Sequence, residues 1–119
     1  MTYDVKLTEG IAVISSKNQI ITNAQSALDL LASINYNYNT YKIAVDKSAV
    51  HEDFFKLSTG LAGEIVQKFV NYNCRLAIIG DFSSYTSKPL QDYIYECNKG
   101  RHLFFVANEQ EAIARLKGA

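Results

Sequence analysis

The sequence predicts a single α/β domain: a mixed, mostly parallel five-stranded sheet with an N-terminal antiparallel hairpin and about four helices. Three observations lead there. Short apolar runs that read as strands alternate with amphipathic runs at helical spacing. The first two strand runs are separated only by Glu9 and Gly10, too short a connection for a crossover, so they form a hairpin. At 119 residues, with 48% hydrophobic and 20% charged side chains, the chain has the size and composition of one domain with a genuine core.

Taken in order, Tyr3, Val5 and Leu7 alternate with Asp4, Lys6 and Thr8, the period of a strand with one wet face. "IAVIS" (Ile11 to Ser15) is more uniformly apolar and therefore more buried. In "TNAQSALDLLASIN", Thr22 and Gln25 have capping-box spacing, and Ala24, Ala27, Leu28 and Leu31 line one face of a helix ending near Asn35. "NYNYNTY" reads as its exit and a loop. "KIAVD" (Lys42 to Asp46) is a short strand, and "KSAVHEDFF" a loop with a helical turn.

A second helix is expected from Ser58, turning Leu61, Ala62, Ile65, Val66, Phe69 and Val70 toward the core. "RLAIIGD" (Arg75 to Asp81) is the most uniform strand; it or its neighbour Lys42–Asp46 should be central. After the loop "FSSYTSK", Pro89 suits a first helical turn because its missing N–H would be unused there. Leu90, Tyr93, Ile94 and Cys97 follow at helical spacing, and Gly100 is expected to close that helix in a left-handed conformation. "HLFFVA" is the last strand. Asn108 with Glu111 then caps a short helix that turns Ala112, Ile113 and Leu116 inward. No repeat or linker interrupts residues 1–119. The rival architecture is a flavodoxin-like doubly wound sheet.

Composition narrows function. Twelve basic residues balance twelve acidic ones, and no basic stripe offers a phosphate backbone a partner, which argues against nucleic acid. The start "MTYDVKLTEG" has no apolar signal core, and no run approaches the roughly 18 apolar residues of a membrane helix; a cytoplasmic protein without a membrane role is expected. Cys74 and Cys97 stand alone, which suits two buried thiols in a reducing compartment. His51 and His102 lack neighbouring ligands, so neither metal nor cofactor is expected.

In open α/β sheets, ligand sites gather beyond the carboxyl ends of parallel strands. That rule selects Ser15 and Ser16, Asp46, Lys47 and Ser48, Asp81, Phe82 and Ser83, and Asn108. It also selects the start of "STGLAGE", where Ser58, Thr59, Gly60 and Gly63 crowd small residues around free N–H groups suited to an anion. No P-loop, GxGxxG or GxSxG pattern is present, and no catalytic residue is assigned. Asp46 and Asp81 are either paired carboxylates or caps of their loops. Lys47 reads as a solvated loop charge. Ser58 and Thr59 would cap the helix, contributing about 1 kcal/mol. Each glycine costs about 1 kcal/mol relative to alanine inside a helix. The pair therefore either keeps the approach open or lets the helix pack closely on the sheet. Phe54, Phe55, Phe69, Tyr93 and Phe104 read as core. Tyr36, Tyr38, Tyr41 and Tyr85 read as exposed loop residues or a partner surface.

The stretch from Val45 to Val106, and "TGLAGEIVQKF" and "GDFSSYTSK" above all, resembles a bacterial family catalogued as domain of unknown function 4180. That likeness implies a compact domain and supplies no activity. The element order, with "STGL" following a strand by about a dozen residues, is also similar to the STAS domains of anti-sigma-factor antagonists. In those domains a loop of Asp-Ser-Ser/Thr-Gly-Leu-Gly type precedes the helix and is phosphorylated on its second hydroxyl residue. The resemblance matches Ser58, Thr59, Gly60 and Leu61 and makes Thr59 the implied phosphoacceptor. Leu57 replaces the Asp, and Ala62 the Gly. The expected function is a non-enzymatic protein-interaction or regulatory module with a protein partner. The alternative is a small-molecule- or anion-binding protein, or an enzyme, using the cleft near Asp46, Asp81 and Thr59. The first strand, as a sheet edge with unpaired N–H and C=O groups, also predicts a homodimer.

Overall fold

The computed structural model describes residues 3–119. Its elements are β1 (Asp4–Thr8), β2 (Ile11–Ser15), α1 (Ala24–Tyr38), β3 (Lys42–Asp46), α2 (Leu61–Asn71), β4 (Arg75–Ile79), α3 (Lys88–Asn98), β5 (Leu103–Val106) and α4 (Glu109–Lys117). Three short 3₁₀ turns, Lys47–Ala49, Glu52–Phe55 and Leu57–Thr59, join β3 to α2 where one loop turn was expected. The sheet order is β1-β2-β3-β4-β5, antiparallel for the first pair and parallel thereafter, with β3 at the centre.

This monotonic order separates the fold from a doubly wound sheet. Strands added in one direction by crossovers of one hand leave their helices on one face. Ala27, Leu30, Leu31 and Ile34 of α1, Ala62, Ile65 and Phe69 of α2 and Leu90 of α3 all pack there, against Ile43, Val45, Leu76 and Ile78. Among the described elements only α4 covers the other face, setting Ala112 and Leu116 on Ile11, Ala44, Ala77 and Phe104. Ion pairs from Lys6 to Glu109 (2.9 Å) and Lys117 to Glu9 (2.7 Å) tie α4 to the hairpin. The buried Thr40 hydroxyl donates to the Gly10 carbonyl at 2.6 Å, fastening the hairpin turn to the start of β3.

Several boundaries differ from the sequence expectation. The cap of α1 is Asn23, not Thr22: its side chain accepts from Ser26 N–H while the Ser26 hydroxyl receives the Asn23 N–H. The helix runs on through Tyr36 and Tyr38 and ends at Asn39, whose left-handed backbone asparagine tolerates. Thus "NYNY" is helical. Helix α2 starts at Leu61 instead of Ser58, and Val70 faces solvent. Gly100 does not adopt a left-handed conformation; α3 runs out through right-handed Lys99. Cys74 is buried, but Cys97 is only half-buried.

Candidate functional site

The carboxyl ends of β3 and β4 are built from short-range caps. Asp46 accepts the Ser48 N–H at 2.9 Å and so starts the first 3₁₀ turn. Asp81 accepts both the Ser83 N–H (2.9 Å) and the Ser83 hydroxyl (2.6 Å). These two bonds favour the ionised carboxyl and hold its pKa below the usual aspartate value. Each carboxylate serves its own loop. Among the described residues no three His, Cys, Asp or Glu side chains are grouped to hold a metal.

Lys47 is not the solvated charge that the sequence suggested. Its aliphatic stem lies across Gly80, where an added Cβ would sit 2.7 Å from the Lys47 Cδ. Its ammonium donates to the Asp81 carbonyl at 3.0 Å and stands over the Tyr85 ring, 4.9 Å from the centroid. The side chain therefore bridges the ends of β3 and β4 and closes over aromatic faces.

Those faces belong to a cluster. Phe55 stacks on Tyr85 (5.3 Å) and contacts Phe82 (5.9 Å), and Phe82 meets Phe105 edge-on at 5.2 Å. The Tyr85 hydroxyl donates to Glu52 at 3.2 Å, joining the 80s loop to the second 3₁₀ turn. Burial, then the Glu52 carboxylate, push the Tyr85 phenol above its ordinary pKa. Tyr85 is thus partly buried, not an exposed loop tyrosine.

The glycine-rich segment is also arranged differently. Gly60 has φ +79°, a conformation that favours glycine, and marks both the exit of the Leu57–Thr59 turn and the start of α2. The Thr59 hydroxyl lies 2.7 Å from the Asp53 carbonyl and 2.8 Å from that of Lys56, and accepts the Leu61 N–H at 3.3 Å. It is committed to its own loop, and Ser58 is exposed beside it. Neither residue is the N-cap, a position Gly60 occupies. Gly63 is exposed in the first turn, and an added Cβ would meet no atom within 4 Å. Close packing on the sheet is therefore not why either glycine is there.

Ser58 and the 80s loop share an open groove of about 520 Å³, lined by Glu52, Phe55, Leu57, Ser58, Tyr85 and Ser87 among others. Its floor is aromatic and its rim carries hydroxyls. Gly63 opens instead onto a separate surface beside Ala24 and Gln67. The structure thus brings Ser58 to the β4–α3 loop and leaves Thr59, Gly60, Gly63, Asp46, Asp81 and Ser83 out of the lining of that groove. Sequence reading missed the partnership of Lys47, Glu52 and Tyr85; a glycine directly after the most apolar strand was the available signal, because a crossing side chain demands one. At the far end of the molecule, Tyr36, Tyr41 and Tyr72 rim a second groove of about 530 Å³ along α1. Tyr38 turns inward to pack on the core.

The fold these elements define is that of STAS-like domains. A crystal structure solved at 1.59 Å as that of a candidate anti-sigma factor antagonist from Thermotoga maritima superposes with a TM-score of 0.51 over 97% of this chain and 94% of the other, at 13% identity. The chain itself belongs to the family described as domain of unknown function 4180, whose model matches residues 6–116. No curated protein matches it. No helix among the described residues is long and apolar enough to cross a membrane.

Proposed function

We propose that this chain is a cytoplasmic, non-enzymatic interaction module, homodimeric, whose partner-binding face is the groove between the Leu57–Thr59 turn and the β4–α3 loop. The observation that carries the reading is the contrast between two adjacent hydroxyls. Thr59 is spent on its own backbone, whereas Ser58 stands exposed on the groove rim. Thr59 is the residue that the STAS resemblance implies as phosphoacceptor; the free geometry of Ser58 makes it the better regulatory hydroxyl. A phosphate there would add up to two negative charges to a rim that holds Lys56 and Glu52.

The test is affinity capture from the native organism with wild type, Ser58→Arg and Thr59→Val, alongside melting temperatures. Wild type should retain a defined protein that Ser58→Arg loses at unchanged stability. Thr59→Val should lower the melting temperature and, where folded, keep the partner. Equal capture by wild type and Ser58→Arg would remove the groove from the interface. The second reading, a small-molecule or anion site, moves from the strand-end cleft near Asp46, Asp81 and Thr59 to this groove. It draws support from the groove's aromatic side chains and its size, which lies within the usual ligand range. Native mass spectrometry finding a stoichiometric metabolite on the purified chain would favour it.

A further inference from the structure

The two edges of the sheet are treated differently. On β5, the Asn98 side chain at the end of α3 closes on the outer strand: its Oδ1 accepts the Phe105 N–H at 2.8 Å and its Nδ2 donates to the Phe105 carbonyl at 3.2 Å. Arg115 of α4 in turn donates to the Asn98 carbonyl. That edge is occupied, as edges prone to unwanted pairing often are. Among the described residues no such clamp lies on β1, where Leu7 is 51% exposed.

The hairpin geometry says which groups β1 offers. Its two-residue turn has φ +51° at Glu9 and +80° at Gly10, a type I′ turn, with Thr8 opposite Ile11. In such a hairpin the closing pair exchanges both backbone hydrogen bonds, and every second pair does the same. Thr8, Lys6 and Asp4 therefore bond inward to β2, and Val5 and Leu7 direct N–H and C=O outward. Val5 and Leu7 face the α1 side of the sheet, opposite Ile14 and Ala12, whereas Asp4 and Lys6 share the face of α4.

We propose that the β1 edge pairs antiparallel with β1 of a second copy in one register: Val5 opposite Val5 on the two-fold axis, Tyr3 opposite Leu7, and Asp4 opposite Lys6. The proposal rests on the homodimer in the functional reading above and specifies its geometry. Outward-facing groups must meet outward-facing groups, which allows only registers pairing odd residues with odd. One residue further along, Lys6 would lie directly opposite Lys6, a like-charge pair that destabilises a sheet. In the proposed register each Lys6, already paired with Glu109 at 2.9 Å, gains a second, opposed carboxylate in a non-hydrogen-bonded pair, where side chains approach most closely. Leu7 of the second copy comes to rest opposite Tyr3, on the rim of a shallow groove that Tyr3 forms with Ile20 and Leu30.

Sedimentation equilibrium on the full chain tests this through three substitutions, each counted twice by symmetry. Wild type should dimerise. Asp4→Lys, which sets Lys against Lys6, should weaken the dimer more than tenfold. Lys6→Gln should weaken it about threefold to tenfold, whereas in the neighbouring register the same change would relieve repulsion and tighten it. Leu7→Pro removes an outward N–H and no hairpin bond, so it should give a folded monomer by circular dichroism. A dimer tightened by Lys6→Gln, or one indifferent to Leu7→Pro, overturns this pairing. Wild type monomeric at every concentration overturns the dimer itself, while capture of a partner through the Ser58 groove is read separately and can still stand.

Discussion

Two loop segments face each other across the groove, and both contain glycine, for opposite reasons. In Leu57–Gly63 the glycines sit in open space, and only Gly60 needs its freedom, for a left-handed turn. In Gly80–Tyr85 the single glycine has an ordinary backbone, yet an added Cβ there would collide with Lys47 at 2.7 and 2.9 Å. The conspicuous pair is a matter of backbone conformation and exposure. The inconspicuous glycine is a matter of space. A cluster of small residues in a sequence thus says little about where the chain is tight; tightness is set by what crosses from another strand.

The largest expected effect undermines both segments together. Phe55 is 4% exposed beneath them and touches Phe54, Phe82 and Tyr85. Phe55→Ala should cost about 3–5 kcal/mol through lost contacts and the cavity left behind. Chemical denaturation measures it; a cost under about 1 kcal/mol would mean that the two loops do not share this floor.

The difference between the glycines is sharpened by a double-mutant cycle. Gly80→Ala should destabilise by about 1–3 kcal/mol, because the Lys47 stem must move and its ammonium must leave the Asp81 carbonyl and the Tyr85 ring. In a Lys47→Ala background the same change should cost clearly less, because only the Cβ at 3.2 Å is left close to the new methyl. Additive costs would place the penalty elsewhere than at this crossing.

A smaller pair of effects, opposite in sign, belongs to the first segment. Gly60→Ala should cost about 1–2 kcal/mol, the penalty for an L-residue in a left-handed turn. Gly63→Ala should stabilise by up to about 1 kcal/mol, since helical backbone in open space prefers alanine. Thermal melts of the two variants suffice. A destabilising Gly63→Ala would reveal a close neighbour that the present geometry does not contain.

The legibility of the sequence divides along the same line. The succession of elements along the chain and most helix faces were readable because they depend on periodicity over several residues, as with Ile43, Val45, Leu76 and Ile78, or Ala112 and Leu116. The cap of α4 was readable because Asn108 and Glu111 act over three residues of chain. The start of α2 was not: Ser58 and Thr59 are good capping types, but the backbone turns through a 3₁₀ segment first, and the Thr59 hydroxyl is taken up by the carbonyls of Asp53 and Lys56. Likewise Thr22 lost the cap of α1 to Asn23, one residue along. The bridge from Lys47 over Gly80 joins positions that no local pattern connects. Tyr85 could not be placed on Phe55 without knowing that the two loops converge.

The finest test concerns Asp81, which holds the second segment in shape from a fully exposed position. Its carboxyl accepts two bonds from Ser83, and the native pKa is lowered from 3.8, the hydroxyl bond being the largest cause and the N–H bond the next. Lys47 contributes least of the favourable influences. A native pKa below the unfolded one means that folding favours the ionised form. The stabilisation is therefore complete above the unfolded value and is lost as pH falls through the native value. Carboxyl NMR should place the Asp81 midpoint below 3.8. Ser83→Ala removes the hydroxyl donor and keeps the backbone N–H, so the midpoint should rise part of the way back. Lys47→Ala should move it less than Ser83→Ala does. A Lys47→Ala shift larger than that of Ser83→Ala would mean that the ammonium governs this carboxylate, and that the loop is held by charge across the strands instead of by its own turn.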